Sequence, residues 1–461
     1  MSKKSVLLTI SIWDDHVRLS LIGKTMKALD HVSFRFTLTV NDIGIRQMDS
    51  FELVYFIRTG IQQLLSRQSV MISSIGVSIM PGYIMAWDRD SCTPLTPCLV
   101  PNNSLPPHQY QEFKFSSFFS LLKDADQQSV NPNCALNLWV LSKRLKKPFA
   151  KGLMISGLDT WLNYLMSGYS DDSLIASPDI MSELTFSDND WDDPLLQSVG
   201  FNKELFPGLG DCQELVTKNF SPLEDGIPIA YSTSTNRLIS NMLRQYTNEP
   251  IACIHLSDIN HMYIDNMSIQ SSGSQNHWVR FSSWNSLYHS FNLTNGTPST
   301  VDVTVDDIKD DIVVPLDPFR SYHNQTYHML NMASFEPQNI RKLGVLQTLF
   351  LIKYLLSQYD HRSQSGHIQK LVISMSEWQP SVVQLCVDLC QIHGIDFNIA
   401  HWLDLIHVCQ FSGMNVFFSQ STKQDLFKLN EQLIPTLDPL TCYSLYQEWE
   451  HWFNTLYDYW R

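Results

Sequence analysis

A chain of 461 residues, 44% hydrophobic and 17% charged, is long enough for two or three domains with full cores and is not typical of a disordered protein. The net charge of −14, with no basic block, argues against nucleic acid or an anionic membrane as a partner. No stretch reaches the ~18 apolar residues of a membrane helix, and the run Val6–Ile10 is too short for a signal peptide. Nine cysteines, an odd number, indicate reduced thiols, so we expect a cytoplasmic protein.

The first ninety residues have the apolar patterns of a small sheet with one helix. The predicted elements are the strands Val6–Ile12, Arg18–Ile22 and Ser33–Val40, the helix Phe51–Leu65 and the strand Ile72–Ile79. Asp49 and Glu52 form an Asp-x-x-Glu capping box in front of the helix. Three antiparallel strands, a helix and a returning strand are similar to the ribonuclease-H-like core of actin and hexokinase.

The second half repeats this pattern loosely. Its predicted elements are the strands Ile251–Leu256, Met262–Ile264, Val279–Phe281, Tyr288–Leu293 and His367–Ile373, and the helices Ile340–Leu356 and Ser381–Ile392. Pro380 opens the last of these helices and Gly394 is predicted to end it. The Pro/Asp-rich link Pro222–Gly226 is the predicted boundary between two domains, residues 1–225 and 226–461.

Six short segments carry a resemblance that covers nearly the whole chain. They are Trp87–Asp90, Ser156–Leu162, Ser170–Ser177, Asp190–Leu196, Phe201–Pro207 and Gly226–Asn236. In this order they resemble scaffold segments of the FGGY family of carbohydrate kinases, and glycerol kinase in particular. Ser156 is a departure, because the family has glycine there. The resemblance implies an α/β, two-domain ribonuclease-H-like fold with a cleft between the domains.

The family positions for the general base and the polyol are occupied here by residues without that chemistry. In the family a Gly-Ile-Pro-Ile strand leads to a Gly-Asp-Gln turn whose aspartate is the base, and here Thr235 stands at that position. A threonine hydroxyl does not accept a substrate proton at pH 7. The Arg-Glu pair that binds the polyol falls on Pro81 and Gly82, which carry no charge.

The phosphate-facing hairpin of the family, Asp-x-Gly-Thr-Thr, is also altered. Ser11 replaces the metal-site aspartate, and Trp13 replaces the glycine that allows a phosphate to approach the backbone. Asp14 and Asp15 stand where hydroxyls face the triphosphate, and they repel it by like charge. Arg18 alone is kept from the motif.

The glycine turns of the second domain are missing as well. The Gly-Thr-Gly phosphate loop falls on Ser257, Asp258 and Ile259, and the Asp-Gly-Gly-Ala turn that meets adenosine falls on Ser374–Glu377. Glycine is 18 of 461 residues, ~4% against a typical ~7%. We therefore expect a kinase-like protein that has lost phosphotransferase activity, has no cofactor, and acts by binding a protein partner, a second copy of itself or a small molecule.

Two other functions stay open. A divergent ATP-dependent polyol or sugar kinase would use Mg-ATP and a relocated base, with Asp258 or Asp15 as the candidate. A small-molecule sensor would keep the cleft for a different ligand.

Three further patterns have a functional and a structural interpretation. A zinc site could use Cys386, Cys390, His393, His401, His407 and Cys409 as ligands. The alternative, which we favour, is that the cysteines are small core residues on one face of a helix. Asp188, Asp190 and Asp192 mimic the start of a calcium loop, but the family loop explains them without a metal. The aromatic helix Tyr443–Arg461 either binds a partner or packs on the second domain, and we favour packing.

Overall fold

The structure is a computed structural model that describes two compact units. The described residues are 4–13, 16–24, 28–41, 44–101, 105, 107–122, 133–146, 149–178, 180–187, 190–210, 215–234, 251–256, 260–265, 277–281, 312–315, 327–330, 337–362, 367–375, 380–396 and 432–460. Those up to Ser234 belong to the first unit and those from Ile251 to the second. The predicted division after residue 225 stays a prediction. No helix among the described residues is long and apolar enough to cross a membrane.

The first unit contains two six-stranded sheets and six α-helices among its described residues. The strands are β1 Lys4–Trp13, β2 His16–Ile22, β3 Ala28–Arg35, β4 Leu38–Val40, β5 Arg46–Met48, β6 Val70–Ile79, β7 Ile84–Asp88, β8 Thr93–Pro94, β9 Cys98–Leu99, β10 Leu153–Gly157, β11 Ile175–Ala176, β12 Thr185–Ser187, β13 Asp190–Trp191, β14 Gly208–Leu209, β15 Leu215–Val216 and β16 Pro228–Ser234. The helices are α1 Ser50–Arg67, α2 Pro107–Lys114, α3 Ser117–Leu121, α4 Asn133–Arg144, α5 Leu158–Met166 and α6 Asp193–Ser198, with short 3-10 turns at Asp171–Ser173, Ser182–Leu184 and Lys203–Leu205.

The main sheet of the first unit has the strand order β15-β16-β6-β1-β2-β3. β1, β2 and β3 are successive antiparallel neighbours, whereas β6 runs parallel to β1 and β16 runs parallel to β6. The predicted series of three antiparallel strands, a helix and a returning strand is therefore confirmed. The other sheet has the order β10-β7-β9-β5-β4, with β8 beside β7.

One predicted strand and one predicted capping box are only half right, and the two errors have a common cause. β3 ends at Arg35 and β4 starts at Leu38 in the other sheet, so Ser33–Val40 is not one strand. Asp49 caps α1 by accepting a hydrogen bond from the Phe51 N–H at 2.8 Å. Glu52 does not complete the box, because its carboxylate accepts from the N–H and hydroxyl of Thr37 at 2.9 and 3.2 Å. That contact holds the bend between the two sheets.

Helix α1 packs on the apolar side of the main sheet at very short range. A Cβ atom at Gly60 would lie 2.9 to 3.0 Å from side-chain carbons of Leu19, Val32 and Phe34. Only glycine fits this approach without displacing those side chains. The opposite face of β1, β2 and β6 carries several buried residues with small hydroxyl side chains, which are Thr9, Ser11, Ser20, Ser74 and Ser78.

The second unit repeats the topology of the main sheet. Its strands are β17 Ile251–Leu256, β18 Asn260–Asp265, β19 His277–Phe281, β20 Ile312–Pro315, β21 Tyr327–Leu330, β22 Lys370–Met375, β23 His393–Asp396 and β24 Gln432–Leu433; its helices are α7 Pro337–Arg362, α8 Pro380–Cys390 and α9 Pro439–Trp460. The sheet order is β19-β18-β17-β22-β23-β24, and β20 pairs with β21 separately. β17 to β19 are antiparallel, while β22 is parallel to β17 and β23 to β22. The predicted strand Tyr288–Leu293 lies outside the described residues.

The core of the second unit is formed by apolar faces of α7, α8 and α9 against the sheet. Trp449 of α9 lies 5.7 Å from the Phe350 ring and 4.8 Å from the Phe453 ring, measured between centroids. Tyr354 lies 4.7 Å from Phe453. The prediction that the final aromatic helix packs on the second domain is therefore confirmed.

The predicted end of α8 at Gly394 is wrong. The helix ends at Cys390, and Gln391 adopts the left-handed conformation with a φ of 56°. The Gln391 Nε2 donates to the Asp388 and Leu437 carbonyls at 2.6 and 3.2 Å, which stabilises a conformation that usually needs glycine. Gly394 lies in β23, where an added Cβ would collide with Val387.

Candidate functional site

The carboxyl ends of three parallel strands meet at one edge of the main sheet. β1 ends at Trp13, β6 at Ile79 and β16 at Ser234. In register, Ser11 is paired with Ser78, and Ile79 is paired with Ser234. Open α/β sheets bind ligands beyond the carboxyl ends of their strands. This edge is therefore the candidate site of the first unit.

Hydroxyl groups and the Arg18 guanidinium line the central part of this edge. Ser11 lies between Arg18 of β2 and Ser78 of β6, and directly paired residues point to the same face of a sheet. Both serines are 3% exposed, and the Arg18 Nε donates to the Ser20 Oγ at 3.4 Å. None of the strands β1, β2, β6 and β16 contains an aspartate or a glutamate. These strands offer hydrogen-bond donors and a positive charge, but no hard anionic ligand for a divalent cation.

The turn after β6 is held in place by an asparagine that the sequence analysis missed. The Met80 N–H donates to the Ile12 carbonyl at 3.2 Å, so the turn starts beside the end of β1. Gly82 has a φ of 108°, and its carbonyl accepts a hydrogen bond from the Asn137 Nδ2 at 2.7 Å. Asn137 lies on α4, is fully buried, and also donates to the Val100 carbonyl at 2.8 Å. A polar residue among the apolar positions of α4 was the available signal.

The structure thus brings some of the predicted site positions together. Ser11, Arg18 and the Pro81–Gly82 turn all lie at the carboxyl edge of the main sheet, and the backbone of Trp13 ends β1 there. β16 ends one residue before Thr235. The predicted positions outside the described residues are Asp14, Asp15, Thr235, Ser257 and Asp258.

The corresponding edge of the second unit has the same strand arrangement. β17 and β22 are parallel neighbours, and Leu256 is paired with Met375. Both strands end at this pair, so the segments that start at residues 257 and 376 follow from neighbouring strand ends. The family resemblance locates its phosphate turn on Ser257–Ile259, which lies outside the described residues, and its adenosine turn on Ser374–Glu377, of which Ser374 and Met375 are the last residues of β22 and not part of a turn.

A buried carboxyl group lies in the first turn of α5, close to the turn after β6. Asp159 is 1% exposed, and its Oδ1 accepts no hydrogen bond. Burial raises the pKa of Asp159 to about 7, although the backbone N–H groups of Thr160 and Asp159 itself oppose the rise. The Leu158 N–H, one residue earlier, donates to the Tyr83 carbonyl at 3.3 Å. Asp159 was recognised in the sequence only as part of a scaffold segment.

Three buried tryptophans connect the scaffold segments of the first unit. The Trp87 Nε1 donates to the Ser156 Oγ at 2.9 Å, the Trp161 Nε1 donates to the Cys92 carbonyl at 3.0 Å, and the Trp191 Nε1 donates to the Pro207 carbonyl at 2.8 Å. Ser156, which departs from the family glycine, is therefore the acceptor for an indole of another scaffold segment. These contacts are structural and supply no reactive group.

The zinc-type ligands do not form a metal site in the described part of the chain. Cys386 is fully buried in the core of the second unit, and a hydrogen bond with Cys390, together with burial, raises its pKa. His393 is exposed in β23. No group of three His, Cys, Asp or Glu suited to a metal is present among the described residues. His401, His407 and Cys409 lie outside the described residues.

The calcium-like acidic run has a structural role at its described end. Asp192 caps α6, since its carboxylate accepts a hydrogen bond from the Leu195 N–H at 3.0 Å. Asp190 is exposed in β13, and Asp188 lies outside the described residues. This arrangement is the one expected for a loop that starts a helix.

No protein-family model and no curated protein matches the chain in sequence. Solved structures match its fold over almost the full length of both chains. Glycerol kinase from Plasmodium falciparum, solved with ADP, has a TM-score of 0.77 and 14% identity and covers 99% of each chain. A xylulose kinase from Lactobacillus acidophilus has a TM-score of 0.75 and 11% identity, covering 99% of this chain and 98% of that one. A gluconate kinase from the same organism has a TM-score of 0.75 and 12% identity and covers 99% of each.

These neighbours are carbohydrate kinases of the FGGY type. The TM-scores show the shared architecture. At identities of 11–14% these matches do not show the chemistry, which depends on the residues of the site. The chain has the two-domain α/β fold of the FGGY carbohydrate kinases, and the predicted fold class is confirmed.

Proposed function

We propose that this protein has the fold of a carbohydrate kinase without its phosphotransferase activity, and that it acts by binding a protein partner or a small molecule. The observation that carries the proposal is Ser11. By the family resemblance Ser11 stands where the metal-site aspartate is expected, and in the structure it lies next to Arg18 and Ser78 in a group of strands without any carboxylate. The proposal assigns no cofactor to the protein.

The chemistry of phosphoryl transfer makes this substitution severe. The protein's contribution to that reaction is almost entirely positioning and electrostatic stabilisation, in which metal ions neutralise the charge on the phosphates. Mg²⁺ is usually held through one or two carboxylates plus the phosphates themselves. A serine hydroxyl carries no charge, and the neighbouring Arg18 guanidinium repels a divalent cation.

The turn after β6 supports the same proposal from the acceptor side. Pro81 has no hydrogen-bonding side chain, and the carbonyl of Gly82 is already used by Asn137. Pro81 and Gly82 themselves therefore offer a polyol no charged or bidentate side chain to orient its hydroxyl group. Orientation of the reacting groups is worth ~7–11 kcal/mol in favourable cases, more than a general base supplies.

The test is transfer of radiolabelled phosphate from ATP to a panel of polyols and sugars, with an active carbohydrate kinase of the same fold as the positive control. We expect no transfer above background and no thermal shift at millimolar Mg-ATP, whereas a ligand at ~1,000 times its dissociation constant would stabilise the protein by ~4 kcal/mol. Turnover by the wild type, or a calorimetric dissociation constant in the low micromolar range, would refute the proposal. Turnover abolished by Asp258→Asn or Asp15→Asn would establish the divergent kinase instead.

A further inference from the structure

The first turn of α5 connects a buried carboxyl group to the turn at the candidate site. The Leu158 N–H donates to the carbonyl of Tyr83, the residue that follows Gly82, at 3.3 Å. This is a long and therefore weak hydrogen bond. Asp159, one residue further along α5, is 1% exposed and leaves its Oδ1 without a hydrogen-bond donor. A change in the charge of Asp159 therefore takes place one residue away from the Leu158–Tyr83 hydrogen bond, which holds α5 against the turn.

The carboxyl group is tightly packed where it lies. An added Cβ at Gly157 would collide with the Asp159 Oδ1 and would lie 2.6 Å from the Met181 Cε. Gly157 is the N-cap of α5 and provides no side-chain hydrogen bond to the first turn. A neutral carboxyl is stable in such a place, whereas the backbone N–H groups of Thr160 and Asp159 offset only part of the desolvation of a carboxylate. Opening the first turn of α5 would let water solvate that charge.

The other titratable groups around α5 do not offset this charge. Burial, and then the charge of Asp159, raise the pKa of the Cys98 thiol on β9, so the thiol stays neutral. The elements packed on α5 include β6, β10, β11, β16 and the turn Asp171–Ser173. Among the described side chains of these elements, the titratable ones are Asp171 and Asp172. Asp171 is exposed and paired with Arg89 at 2.8 Å.

We propose that Asp159 is a pH switch: its neutral form keeps the first turn of α5 closed on the Tyr83 carbonyl, and its ionised form opens that turn and releases this carbonyl. The switch lies next to the Pro81–Gly82 turn, which Asn137 continues to hold, and it does not depend on what the candidate site binds. It is built from the buried carboxyl, the glycine N-cap and the long Leu158–Tyr83 hydrogen bond.

The direction and range of the response follow from linkage. In the closed state the pKa of Asp159 is raised to about 7, whereas in an open, hydrated state it returns to its ordinary value near 3.8. The open state therefore gains about tenfold per pH unit between about pH 4 and pH 7, and the gain levels off above about pH 8. The turn is most tightly closed in acid and loosens towards neutral pH.

The test is hydrogen–deuterium exchange of the full chain from pH 5 to pH 9, expressed as protection factors so that the intrinsic pH dependence of exchange is removed. The peptide covering residues 158–166 reports the switch, since Leu158–Met166 is α5 and the strand residues before it are held in the β7–β10 ladder. In the wild type we expect its protection to fall about tenfold per pH unit between pH 5 and pH 7 and then to level off. In Asp159→Asn we expect protection that does not change with pH.

Asp171→Asn is the matched control, because it removes an exposed carboxylate next to the same helix. It should keep the wild-type pH profile. A flat profile in the wild type overturns the proposal by itself, even if the Asp159→Asn variant does not fold. The same slope in Asp159→Asn as in the wild type, or a flat profile in Asp171→Asn, overturns it as well.

Discussion

Replacing Asp159 by asparagine keeps the shape of the side chain and removes its titratable proton. The sign follows from the raised pKa: the unfolded chain ionises near pH 3.8, whereas the folded chain holds the proton up to about pH 7. The stabilisation by the neutral carboxyl is therefore complete below about pH 4 and is lost as the pH rises to about 7. The interval between the two pKa values corresponds to about 4 kcal/mol. Local opening of α5 limits the loss, so about 4 kcal/mol is its upper value.

The asparagine has its own cost, which does not depend on pH. The amide places N–H donors in a buried position where the Oδ1 of Asp159 has no hydrogen-bond partner. A buried donor that stays unsatisfied costs about 1–3 kcal/mol. We therefore expect the wild type to be more stable than Asp159→Asn near pH 4 and less stable near pH 8, so that the two curves of unfolding free energy against pH cross.

The measurement is urea unfolding of both proteins at several pH values, followed by tryptophan fluorescence, with the m-values required to agree. Subtracting the two curves removes the contribution of every other titrating group. A difference that stays constant from pH 4 to pH 8 would refute the buried, unpaired state of the carboxyl.

Three further predictions concern other parts of the molecule. Phe453→Ala removes a fully buried ring from the α7–α9 contact and should cost about 3–5 kcal/mol in urea unfolding; Tyr443→Ala, at an exposed site of the same helix, should stay within ~0.5 kcal/mol. Gly168→Ala should cost at least ~1 kcal/mol, because its φ is 66° and the new Cβ would lie 3.0 Å from Lys218; Gly208→Ala, with no atom nearer than 3.7 Å, should be close to neutral. Thr235→Asp should not create phosphate transfer to any polyol, since a base is worth only ~10²–10⁴ in rate; turnover by that variant alone would show that the binding sites are intact.

Periodicity located the principal elements because their burial is regular. The strand Ile251–Leu256 has the predicted bounds, and α1 extends the predicted helix by one residue at its start and two at its end. Where the prediction failed, the deciding contact is distant in sequence. Glu52 binds Thr37, fifteen residues earlier, and Gln391 is held by Leu437. The local pattern of apolar and polar residues gives no information about partners that are distant in sequence.

The candidate site was predictable to a different degree. Resemblance pointed to Ser11, Arg18 and the Pro81–Gly82 turn, which the structure brings to one edge of a sheet. Asn137 and Asp159 were missed as participants, because their importance lies in complete burial and in which atoms they meet. From sequence alone, an asparagine or an aspartate in a helical segment is predicted to lie on the surface, because these residue types are mostly exposed.

The indole contacts of Trp87, Trp161 and Trp191 bear on how activity is inferred from sequence. Each one joins segments distant along the chain through a buried polar atom, so losing the indole would leave an oxygen unsatisfied and destabilise the fold. Selection for folding alone would therefore be enough to preserve these tryptophans, whether or not the molecule turns over a substrate. Segments of this kind indicate the fold, and the proposed loss of phosphotransferase activity depends instead on Ser11 and its neighbours at the sheet edge.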